Sequence, residues 1–160
     1  MTLLTNSLKS YTTVKKGDAT MNNNVTFISE LSQFSQIIIY NRIVNYLADE
    51  EGQELGEAFE KAEECMNEKI STLYGDRTTT ETVDFGGVVV EDENGNYVDI
   101  LNLDNIICED RARDIAIWWS YERSLYCISY EELSEIGQYF EELANRFPSL
   151  REEFEENGIL

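Results

Sequence analysis

The stretch VVVEDENGNYVDIL, Val88–Leu101, decides the fold class of a chain whose other long segments read as helices. Asn94-Gly95 lies between two β-prone runs, and Asn-Gly supplies the two left-handed residues that a type I′ turn demands. The pattern predicts a hairpin over Phe85 to Leu103. Gly86-Gly87 marks either a bulge or a plain beginning of the first strand. Two strands alone are marginal in water, so this hairpin must pack on helices.

Working outward, apolar residues recur at three- and four-residue steps. Leu31, Phe34 and Ile38, then Ile37, Val44 and Leu47, predict a helix from about Ser29 to Asp49, started by Ser29 or Thr26. Leu55, Phe59, Ala62, Met66, Ile70 and Leu73 predict a second from about Glu51 to Tyr74, stopped by Gly75-Asp76. A third is expected over Asp104 to Arg123, capped by Asp104 or Asn105, with Ile107, Arg111, Ile115, Trp118 and Trp119 along one side. Ser129 and Glu132 form a capping box for a fourth, with Leu133, Ile136, Phe140, Leu143 and Phe147 as its core face and Pro148 as its end. Ser149 and Glu152 form a second box for a short last helix closed by Asn157-Gly158. The expected class is α+β: mostly helical, four to five helices, with one β-hairpin packed on the helices.

The chain has 160 residues, 42% of them hydrophobic, which is enough for one cored domain. Residues 1–24 are expected to be a flexible tail and 25–160 a single globular domain. Lys15-Lys16-Gly17-Asp18 can be encoded by a purine run of the ribosome-binding type, a few codons ahead of Met21. Translation is therefore expected to start at Met21. No apolar run approaches the roughly 18 residues that span a bilayer, and the N-terminus lacks a signal-peptide core. Cys65, Cys108 and Cys127 have neither zinc nor disulfide spacing and read as reduced thiols. With no histidine, the most frequent general base and metal ligand is missing. The expected setting is the cytoplasm of a bacterial host cell, with no cofactor, no metal and no membrane.

The balance of charge is the strongest functional signal. There are 32 acids against 12 bases, a formal net charge of -20, which repels nucleic acid and attracts basic surfaces. From Asp49 to Glu68, DEEGQELGEAFEKAEECMNE holds nine carboxylates and one lysine. On a helix, Glu50, Glu54, Glu57, Glu64 and Glu68 fall at three- or four-residue steps, where like charges repel. Only the first of these favour the helix dipole. More acids recur at Glu91, Asp92 and Glu93 on the hairpin tip, on the third and fourth helices, and at the C-terminus.

This acidity, with DEEGQELGEAFEKAEEC (residues 49–65) and REEFEENGIL (residues 151–160), looks like the small phage-encoded inhibitors of host defence, of the anti-CRISPR and antirestriction type. The resemblance is one of class, with no shared motif, so it brings no residue roles. It implies an inhibitor that binds the basic nucleic-acid-binding surface of a CRISPR effector or restriction enzyme and blocks DNA or RNA binding, without binding nucleic acid itself. The partner-binding candidates are Glu54, Glu57, Glu64, Glu68, Glu91, Asp92 and Glu93, with Trp118 as an exposed aromatic anchor among nearby tyrosines. One alternative is an acidic adaptor without mimicry. Another is a divalent-metal nucleotide phosphohydrolase using Glu60-x-x-Glu63 and Glu81-x-x-Asp84, although such pairs arise often by chance in so acidic a chain.

Overall fold

A computed structural model describes residues 24–71, 88–123 and 128–160. Residues 1–23 of the expected 1–24 tail, Met21 among them, and Leu73, Gly75-Asp76, Gly86-Gly87, the Glu81–Asp84 pair and Cys127 lie outside the described residues, while Asn24 belongs to a strand. The fold is α+β and mostly helical, with five helices and a small antiparallel sheet among the described residues.

The hairpin forms where the sequence placed it, with a different turn. Strand β2 (Val89–Glu91) pairs antiparallel with β3 (Tyr97–Asp99), Val90 opposite Val98. A type I′ turn would need Asn94 at positive φ, but among the described residues only glycines have positive φ. Gly95 alone takes the left-handed conformation, at φ 80, and Glu93–Gly95 forms a three-residue loop. Asp92 imposes this shape, because its carboxylate accepts the Asn94 and Asn96 N–H groups at 2.9 Å each. A strand that the pattern did not predict, β1 (Asn24–Val25), pairs with the other edge of β3 and gives the order β1-β3-β2.

Helix α1 (Gln33–Asp49) follows a 3-10 turn at Ile28–Glu30 and is capped by Ser32, not by Ser29 or Thr26. Gly52, at φ 67, lets the chain reverse into α2 (Leu55–Cys65), which packs on α1 and is shorter than the Glu51–Tyr74 prediction. Helix α3 (Glu109–Glu122) begins at Cys108, because Asn105 is buried and donates to the Asp99 carbonyl instead of capping. Helix α4 (Tyr130–Arg146) carries the expected Ser129–Glu132 capping box. Pro148–Leu150 forms a 3-10 turn that runs directly into α5 (Arg151–Glu156), leaving Ser149 no capping role. Gly158, at φ 71, closes the chain's last turn. Leu55, Ile107 and Leu133, expected on core faces, are 47%, 39% and 47% exposed. Each sits at or beside a helix start, before the buried stripe begins: Ala58, Ala62 and Cys65 on α2, and Ile136, Phe140 and Leu143 on α4. No helix of the described residues is long and apolar enough to cross a membrane.

Trp118 is not an exposed anchor. It is fully buried, and Trp119 is 3% exposed. Adjacent helical residues point about 100° apart, so a narrow seam could hold only one of them. Phe34 of α1 lies against both, 6.3 Å from Trp118 and 5.5 Å from Trp119, each edge-on. Its ring also meets Tyr139 at 4.4 Å and Phe140 at 5.5 Å. This aromatic cluster widens the seam until both tryptophans fit. Arg42 lies 5.8 Å over Trp118 and pairs with Glu122 at 4.0 Å, joining α1 to α3.

Residues 99–101 run through the interior, at most 1% exposed, so their polar groups need partners inside the protein. They find them on three sides. The Asp99 carbonyl accepts Asn105 Nδ2, the Ile100 carbonyl accepts Arg111, and the Leu101 carbonyl accepts the Tyr139 hydroxyl at 2.6 Å. The Asp99 carboxylate accepts the Ser32 N–H and the Ser35 hydroxyl at 2.6 Å each, and the Leu101 N–H at 3.1 Å. A carboxylate at the N-terminus of α1 is also favoured by the helix dipole.

Burial raises the Asp99 pKa above the usual carboxylate value, and the hydrogen bonds from Ser32, Ser35 and Leu101 oppose this only in part. The folded protein thus holds this proton at pH values where the unfolded chain has released it. The stability contributed is full below the ordinary carboxylate pKa and is lost as pH rises through the folded pKa. Asp99→Ala should lower unfolding stability by about 2–4 kcal/mol in urea titrations near neutral pH, since it strands three donors. A loss under about 0.5 kcal/mol, the range of ordinary surface substitutions, would show that Asp99 does not hold the sheet to α1.

Candidate protein-binding face

Helix α2 is amphipathic in an unusual way, because its buried side is built from small residues. Ala58, Ala62 and Cys65 let it lie close against α1, while Glu54, Glu57, Glu60, Glu63 and Glu64 are all exposed. Its end is fixed through the backbone. The Ile28 N–H donates to the Glu68 carbonyl at 3.0 Å, and the Ile70 N–H to the Thr26 carbonyl at 2.9 Å. Burial and then Glu68 raise the Cys65 thiol above its ordinary pKa, which keeps it neutral and unreactive.

The predicted glutamate stripe is therefore interrupted. Glu57 and Glu64 lie on α2, Glu54 is its N-cap residue without a side-chain capping bond, Glu50 ends α1, and the half-buried Glu68 follows the last turn. Glu60 and Glu63, which the spacing also offered as a metal pair, belong to the same exposed face. Glu91 ends strand β2, Asp92 flanks the β2–β3 loop with its carboxylate folded into the turn, and only Glu93 lies in the loop itself. Trp118 is remote from any surface role, since it lies in the core. Among the described residues no group of three or more acids or cysteines could hold a metal ion.

What separates α2 from the other acidic elements is the placement of the arginines. Arg113 bonds Glu109, Asp110 and Glu153 at 3.0–3.2 Å. Arg146 pairs with Asp104 and Glu142, and Arg151 with Glu141 at 2.8 Å. The acids of α3, α4 and α5 are thus partly neutralised from within. Among the described residues no such pair closes on Glu54, Glu57, Glu60, Glu63, Glu64 or Glu68, and Lys61 is the one cation on the helix. Spacing along the third helix already suggested that Arg113 neutralises neighbouring acids, but the pairs that cross between helices, Arg113 to Glu153 and Arg151 to Glu141, were not readable from it.

Beside this face, α1, α2 and the start of α4 enclose an open groove of about 650 Å³. Its floor includes Tyr40 and Phe59, stacked at 6.2 Å with 12° between their planes. Glu63 and Glu132 stand on its rim. Burial, then Glu63 and Glu132, raise the Tyr40 pKa, so both carboxylates act on that phenol.

Comparison with protein-family models, with curated proteins and with solved structures returns no match for this chain.

Within α2, Glu57–Glu60, Glu60–Glu63 and Glu60–Glu64 are like-charge neighbours, each costing about 0.2–0.5 kcal/mol. Glu60→Lys converts all three contacts to attractions and should raise stability by roughly 1–3 kcal/mol at low salt, with the gain shrinking as salt is added. Thermal melts at two ionic strengths check this. An unchanged or lower melting temperature at low salt would mean that the face is compensated after all.

Proposed function

We propose that this protein is a non-enzymatic inhibitor that presents the α2 face to a basic, phosphate-binding surface of a nucleic-acid-processing complex. The reading that fits its charge best is a host defence complex whose DNA or RNA site becomes occupied. The carrying observation is the uneven neutralisation: among the described residues arginines pair with Glu109 and Asp110 on α3, Glu141 and Glu142 on α4 and Glu153 on α5, and with none of the α2 glutamates. A face selected for stability alone would intersperse lysines at three- and four-residue steps. Repulsion kept along α2 is relieved when an external cationic surface arrives.

The mechanism is occupancy. Carboxylates on α2 pair with lysines and arginines that otherwise hold phosphates, and the field of a chain at -20 speeds the encounter. Glu54, Glu57 and Glu64 make the first contacts, with Glu60 and Glu63 beside them. Such a contact competes with DNA, because duplex DNA offers a comparable density of negative charge. An adaptor without mimicry is the second reading. It would hold a partner equally well whether or not that partner carries nucleic acid.

Capture of basic proteins from a bacterial lysate at low salt, followed by elution with duplex DNA, tests this. The retained partner should leave the column with DNA and with raised salt. The Glu54→Lys, Glu57→Lys, Glu64→Lys triple variant moves the formal charge from -20 to -14, two units per site, and should slow association by roughly tenfold or more at low salt without unfolding. Retention that neither DNA nor the triple variant disturbs would rule out mimicry through this face.

A further inference from the structure

The groove between α1, α2 and the start of α4 has chemistry that plain electrostatic pairing does not use. Its floor is apolar and aromatic, with Ile37, Met66 and Ile128 around the stacked Tyr40–Phe59 pair. Its polar wall is rich in acceptors. The Gln33 amide nitrogen donates to Glu135 at 2.9 Å, and the Gln36 amide nitrogen to the Leu31 carbonyl at 2.8 Å. Gln36 also donates to the Ser29 carbonyl at 3.3 Å, which uses both its N–H groups and leaves its oxygen to accept, while Gln33 keeps its oxygen and one N–H. Glu63 and Glu132 add carboxylates. Glu132 is already placed by the Ser129 N–H and by Asn41, at 3.0 and 3.2 Å, so it meets a ligand in a fixed position.

We infer that this groove receives an arginine side chain, carried on an apolar segment of the basic partner. A guanidinium is planar, donates only, and stacks on aromatic faces, which matches an acceptor-lined slot over Tyr40 and Phe59. An ammonium group is a point charge with a tight hydration shell and gains less from the flat floor. A phosphate or carboxylate would meet Glu63 and Glu132 with the same sign. The apolar residues around the rings cover the aliphatic stem and its neighbours, and contacts of that kind persist when salt screens the exposed face. The inference rests on the reading of α2 as a surface for a basic partner. It adds an anchor that fixes where on α2 the partner sits.

The test uses short amidated peptides as probes: arginine alternating with leucine, lysine alternating with leucine, and arginine alternating with glycine. Methyl NMR spectra of the full chain are followed during each titration. The arginine–leucine peptide should shift Ile37, Met66 and Ile128 and leave Val90 and Val98 of the sheet unmoved, which also shows that the fold is intact. It should bind several-fold tighter than either control. Glu63→Lys, at an exposed position, should weaken it about tenfold. Equal binding of the lysine–leucine peptide would overturn the assignment to arginine. Binding that leaves the three groove methyls unshifted would overturn the groove while keeping the α2 face. No binding of any cationic peptide would remove both.

Discussion

The carboxylate of Asp99, accepting hydrogen bonds from the Ser32 amide and the Ser35 hydroxyl at 2.6 Å each, is where the sheet and the first helix become one body. A three-stranded sheet of such short strands cannot stand alone. It is held because the tripeptide leaving β3 runs through the interior and draws hydrogen bonds from Asn105, Arg111 and Tyr139. Each element that reaches residues 99–101 is thereby placed relative to the others. Removing water from this segment makes every one of these bonds costly to lose.

The position of the acidic helix follows from that arrangement. Asp99 fixes the start of α1, Phe34 in its first turn gathers both tryptophans, and α2 lies on the same helix through its alanines. Arg42 and Arg111 are used in the interior, while Arg113, Arg146 and Arg151 tie down acids on α3, α4 and α5. Among the described residues, Lys61 and Lys69 are the basic residues on or just after α2. A modest electrostatic cost in the folded protein therefore collects on one exposed face, beside a groove with an aromatic floor.

Much of this was legible because local rules and tertiary packing agreed. The Ser129–Glu132 box, the helical stripes of α1 and α4 and the presence of a hairpin follow from spacing alone. The misses have physical causes. Asp92 overrode the Asn-Gly turn preference by binding two backbone amides itself. Asn105 was drawn inward by a buried carbonyl and could not cap α3. Strand β1 is two residues long and leaves no periodic trace. Trp118 stood on the apolar side of its helix, but burial of both tryptophans was not readable, since the aromatic that makes room for them, Phe34, lies 84 positions before Trp118 in sequence. For the candidate face, the acids were plain in the sequence, but their neutralisation between helices was not, because every ion pair from Arg113 to Glu153 or from Arg151 to Glu141 depends on the packing of separate helices.

The central claim is that the α2 glutamates, with which no arginine of the described residues pairs, are the ones that meet another protein. Carbodiimide cross-linking joins a carboxylate to a lysine only when the two are in direct contact, so it reads the interface itself. Applied to the complex formed with the basic partner at low salt, followed by peptide mass spectrometry, it should place the links at Glu54, Glu57, Glu60, Glu63 and Glu64. Links concentrated at Glu109, Glu141 or Glu153, the acids that arginines already hold, would contradict the account.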